Sequence, residues 1–175
     1  MKKLVLVGLV LMVLAALGAQ DDKDLVVSES AEVKAGAEQV WSLLINVSKW
    51  PSWNPVVAEA GIVSGDAEKE KSQIYFVPII NGKKTPTKMK MTLVKSKKPE
   101  LYEFTSHSAG MDLIFGFKIE EKDGKRIVTS YETIKYPSSK VYIALYGADS
   151  LRKNHRVWAD AIKKAVDQEP EGSGK

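Results

Sequence analysis

The sequence predicts an α+β fold: a curved seven-stranded antiparallel sheet wrapped around a long C-terminal helix, with two short helices after the first strand. Three observations predict it. From Val56 to Tyr136 apolar residues recur at alternate positions, and breaker pairs such as Asn81-Gly82, Lys98-Pro99 and Asp123-Gly124 interrupt the runs. From about Ser139 to Asp167, Ala144, Ala148, Leu151, His155, Trp158, Ile162 and Ala165 follow a 4-3-4-3-4-3 spacing, which is the apolar stripe of an amphipathic helix. A length of 175 residues, 44% hydrophobic and 27% charged, suits one globular domain and excludes wholesale disorder.

The elements follow in order. Met1-Lys2-Lys3, the uncharged run Leu4–Leu17 and the small residues before Gln20 have the basic, apolar and small-residue zones of a signal peptide, so residues 1–19 are expected to be removed and the domain exported, to the periplasm or beyond. The apolar run is short for a membrane span, although an uncleaved N-terminal anchor is the alternative. The domain itself is assigned to residues 20–168, and the polar, Gly- and Pro-bearing residues 169–175 to a disordered tail. Leu25–Val33 alternates loosely and reads as a strand. Ala37, Val40, Trp41 and Leu44 share one helical face, and Pro51 suits the first turn of a second, short helix that Pro55 then ends.

Six further strands are expected at Val56–Val63, Ser72–Ile79, Lys88–Lys95, Leu101–His107, Met111–Glu121 and Arg126–Tyr136. The clearest carries Met111, Leu113, Phe115, Phe117 and Ile119 on one face, with Asp112, Ile114, Gly116, Lys118 and Glu120 on the other. A sheet with one apolar and one polar face is antiparallel and covered on one side only. A straight helix fills a curved sheet poorly, so an apolar gap that admits a small molecule is the expected remainder.

Composition removes several functions. There is no cysteine, hence no disulfide and no thiolate chemistry, and only two histidines, His107 and His155, so no metal site is expected. No phosphate-cradling or dinucleotide-binding glycine motif occurs, and no cofactor is implied. The net charge of +4, falling to +2 without Lys2 and Lys3, is too small to suggest nucleic acid.

The stretch from Ala35 to Pro55, with Glu38, Val40-Trp41, Trp50 and Trp53-Asn54-Pro55, resembles the opening of polyketide cyclase/dehydrase-like (SRPBCC) proteins of the START-like superfamily. Ala37 stands where that family often has proline, and Asn46 where it often has aspartate. The resemblance implies a helix-grip fold with a hydrophobic cavity between sheet and terminal helix. It also implies binding of lipids, sterols, polyketides or hormones, with enzymes and carriers both represented.

The expected ligand-binding residues are Trp53, Met91, Phe104, Phe115, Phe117, Tyr131, Leu151, His155 and Trp158, an adaptable apolar lining with His155 and a tyrosine to orient a polar head. His107 and His155 are the only candidates for proton transfer, and no spacing supports a Ser-His-Asp triad. Lys83, Lys84, Lys88 and Lys90 belong to a lysine-rich, acid-free stretch that either guards a sheet edge or meets anionic lipid headgroups. The preferred reading is an exported binding protein or carrier for a hydrophobic small molecule or lipid. The alternatives are a cyclase, dehydratase or isomerase acting in the same cavity, and a membrane-anchored interaction module.

Overall fold

Alternation sets the inward face of each strand, and local irregularities bend the sheet those strands make. The computed structural model describes residues 23–107 and 111–168, so the signal-like segment, the tail and the Ala109-Gly110 connector lie outside the described residues. Strand β1 (Leu25–Val33) leads to helix α1 (Ala37–Ile45), a 3₁₀ turn at Val47–Lys49 and the one-turn α2 (Trp50–Trp53). Strands β2 (Val57–Ser64), β3 (Gln73–Ile80), the two-residue β4 (Lys83–Lys84), β5 (Met89–Lys97), β6 (Leu101–Ser106), β7 (Leu113–Lys122) and β8 (Lys125–Ile134) follow. Helices α3 (Ser138–Tyr146) and α4 (Ala148–Asp167) close the domain.

Seven strands form one antiparallel sheet in the order β1-β8-β7-β6-β5-β3-β2, with β4 paired to the end of β3. Register shifts between Val57 and Glu59, between Ile62 and Ser64, and between Leu93 and Lys95 add local twist, which curls the sheet into a half-barrel. Asn81-Gly82 and Asp123-Gly124 both have positive φ, as tight hairpins between right-twisted strands require. The α+β architecture expected from the sequence, with its two short helices after β1 and its helix-covered concave face, is the architecture present.

Helix α4 is fastened along β1 by polar side chains as well as by packing. Arg156 Nη1 donates to the Ser30 carbonyl at 3.2 Å, and Lys163 Nζ to the Glu32 carbonyl at 2.6 Å. Asp167 Oδ1 accepts from the Lys34 N–H at 2.9 Å.

The single long helix expected from Ser139 to Asp167 is instead two. Gly147 breaks it at φ 82° and ψ 147°, a conformation close to glycine-only backbone space. The break rotates the faces: Ala144 and Ala148 of the expected stripe are exposed, while Tyr142 and Ser150 turn inward. From Leu151 to Ile162 the stripe is buried as its spacing demands, whereas Ala165 is only half-buried and Val166 takes the inward position of the last turn. A β-carbon on Gly147 would meet nothing within 4 Å, so its penalty is purely conformational. Gly147→Ala is therefore expected to cost about 1–3 kcal/mol and to lower the Tm. An unchanged Tm would mean that α3 and α4 merge into one helix without strain.

Candidate ligand cavity

The concave face is largely filled by aromatic rings. Trp50, fully buried, meets Phe76, Phe104, Phe117 and Trp158 edge-on at centroid separations of 6.2, 6.5, 6.1 and 5.2 Å. Its indole N–H donates to the Leu44 carbonyl at 2.8 Å, which ties α2 to the end of α1. These edge-to-face rings fill the middle of the concave face, and the expected hollow is confined to one end.

That hollow has two parts. The inner part, about 40 Å³, lies between β3, β5, β7, β8 and the two C-terminal helices, where Phe76, Met89 and Phe115 face Leu151, His155 and Trp158. The outer part, about 250 Å³, shares Pro78, Ile80, Met89 and Tyr142 with the inner one. Its lips are Thr85-Pro86-Thr87 on one side and Val141 and Leu145 of α3 on the other.

The floor of the inner part is polar. His155, 1% exposed, lies between two inward side chains of β8: its Nδ1 is 2.8 Å from Ser130 Oγ and its Nε2 is 3.0 Å from Glu132 Oε2. A carboxylate only accepts, so Nε2 carries a proton toward Glu132, while Nδ1 is bonded to the Ser130 hydroxyl. Tyr142, whose hydroxyl lies 3.0 Å from Ser150 Oγ, also lines this space, and burial pushes its phenol up to about 12, so it stays neutral.

The expected site residues divide by location. Phe115, Leu151, His155 and Trp158 line the inner hollow. Met91, Phe104 and Phe117 are buried in the packed core beside it. Trp53 stands edge-on to Trp158 at 5.7 Å and borders a separate surface groove with Pro51, Asn54, Val157 and Lys164. Tyr131 lies on the convex face of the sheet, where its hydroxyl donates to Glu103 Oε2 at 2.7 Å over Gly116, whose missing side chain makes room for the ring. His107 follows the end of β6, with its side chain 78% exposed and bonded to Asp112 at 2.9 Å, away from the cavity.

Glu132 escaped the sequence reading, although its signal was present. It shares phase with Val128 and Ile134, which the structure buries, so Glu132 faces inward with them, toward a helix stripe bearing a histidine. The lysine stretch also has a partner that no local pattern reveals: Glu59 of β2 pairs with Lys84 and Lys88, and the two amines hold its carboxyl below the usual range.

Several solved structures share this architecture. A START superfamily protein from Mycobacterium smegmatis aligns with a TM-score of 0.62 at 17% identity, over 83% of this chain and 99% of that one. Major latex-like protein 151 of Panax ginseng aligns with a TM-score of 0.55 at 15% identity, over 75% and 97%. The di-domain ARO/CYC protein StfQ of the steffimycin biosynthetic pathway gives 0.65 at 11% identity, over 85% of this chain and 52% of that chain. At such identities the likeness establishes the fold alone. No curated protein matches the chain. The model of one family, polyketide cyclase/dehydrase and lipid transport, matches residues 24–167, and the chain belongs to that family.

Proposed function

We propose that this protein is an exported carrier that holds a hydrophobic small molecule or lipid in the hollow beneath α3 and exchanges it at an anionic membrane surface. The observation that carries the reading is an apolar hollow, open at one end of a family fold that binds hydrophobic ligands, with a single polar cluster at its base. The inner part of the hollow is small, about 40 Å³, and Gly147 supplies the hinge about which α3 would swing to enlarge it for a guest. Val141 and Leu145 are exposed at 43% and 64% on the outer lip, beside the lysine-bearing β4 hairpin. Apolar side chains flanked by amines suit a bilayer with anionic headgroups. The signal-like residues 1–19 motivate export.

A carrier suits the polar cluster better than a proton-transfer enzyme does. Ser130, the partner of His155 Nδ1, is fully buried and is not part of the lining, so that side of the imidazole does not face a guest.

Native mass spectrometry of the protein purified from its own host is expected to reveal a bound hydrophobe and a mass lacking the first 19 or so residues. Co-sedimentation with vesicles containing anionic lipid should exceed that with neutral vesicles. Lys83→Ala should reduce it about fivefold, since each near-surface lysine contributes about 1 kcal/mol. Equal sedimentation with both vesicle types would remove the membrane step, and an N-terminus retained in full would remove cleavage.

A further inference from the structure

The chemistry at the base of the hollow restricts what can enter it. We propose that the cavity selects amphiphiles whose polar end donates a hydrogen bond, an alcohol or an amine, and rejects the corresponding carboxylates. This inference rests on the carrier reading and narrows it to a ligand class.

His155 donates its Nε2–H in a hydrogen bond to Glu132, and its Nδ1 is occupied by Ser130. Ser150 donates to the Gly147 carbonyl at 2.8 Å, so the Tyr142 hydroxyl, 3.0 Å from Ser150 Oγ, must be the donor of that pair. Asn154 donates through Nδ2 to the Ile79 carbonyl at 3.2 Å, leaving one amide proton in the cluster uncommitted. Against that single donor stand several acceptors. Chief among them is Glu132 Oε1, which accepts no hydrogen bond among the described residues while its partner oxygen holds His155.

Charge points the same way. Neither part of the hollow has a lysine or an arginine in its lining. A ligand carboxylate would meet Glu132 in an apolar space with no cation to offset it, whereas a hydroxyl or ammonium would complete the hydrogen bonding of Glu132. The outer part, at 250 Å³, holds about eight non-hydrogen atoms at roughly 30 Å³ each, so eight-carbon chains are matched probes.

The test titrates the full chain at pH 7.5 with 1-octanol, octylamine and octanoate, reading heat or displacement of an apolar fluorophore. The alcohol and the amine should each bind at least tenfold more tightly than octanoate. Glu132→Gln keeps an acceptor for His155 but turns the free oxygen into an N–H donor, so it should weaken octylamine and strengthen octanoate. The wild-type series stands without the variant. Octanoate binding as tightly as octanol would overturn the head-group rule and leave the carrier intact. Failure of all three probes to bind would overturn both.

Discussion

Trp50→Ala is expected to cost about 3–5 kcal/mol, and to bring the domain close to unfolding at ambient temperature. The indole is fully buried, and removing it vacates the meeting point of Phe76, Phe104, Phe117 and Trp158. A tryptophan cavity among rings that cannot bend inward collapses poorly, which places the cost at the upper end for large-to-small changes. The Leu44 carbonyl also loses its indole donor, a further penalty of about 1–3 kcal/mol if no water replaces it. A domain of this kind has about 5–15 kcal/mol in total. Guanidinium titration should show a lower midpoint with an unchanged slope. Trp50→Phe, which keeps a ring at the centre, should be milder than Trp50→Ala. A loss below about 1 kcal/mol for the alanine variant would mean that the aromatic cluster does not support the fold.

The same cluster explains which parts of the site were legible in the sequence. Where a strand has one wholly apolar phase, as Leu113, Phe115, Phe117 and Ile119 do, its inward face can be read without a structure. Strand β8 has no such phase: Ile127, Thr129, Tyr131 and Thr133 compete with Val128, Ser130, Glu132 and Ile134, and each set mixes polar with apolar residues. An aromatic-weighted reading takes Tyr131 inward, whereas the Tyr131–Glu103 bond and the space above Gly116 hold it outside, and Glu132 points in. Gly147 was hidden for a different reason. Ala144 and Ala148 continue the helical spacing straight across it, and alanine fits an exposed face as well as a buried one. The volume of the hollow was beyond any pattern, because it depends on how the large side chains interlock rather than on which residues face inward.

Breaking the His155–Glu132 pair should cost more than deleting it. In Glu132→Leu the imidazole keeps Ser130 but loses its Nε2 partner, and the ring stays in a site 1% exposed where water does not replace the carboxylate. In His155→Leu a carboxylate is left in the inner hollow with no lysine or arginine in the lining. Removing one partner leaves the survivor desolvated and unpaired, at about 1–3 kcal/mol for a buried polar group and more for the carboxylate. When both become leucine, no buried charge remains, and two apolar side chains occupy a space already lined by Phe76, Phe115 and Trp158. The double variant should therefore be more stable than the less stable single variant, with a coupling energy of about 1–3 kcal/mol in a double-mutant cycle. Additive losses would mean that each side chain acts alone and that water reaches the cluster. The same variants separate stability from recognition: the doubly apolar protein should fold, yet lose its preference for octanol over octane, since the group that accepts the hydroxyl proton is gone. A retained preference would move the head-group contact away from Glu132 and toward Tyr142 or Asn154, the remaining polar side chains of the inner lining.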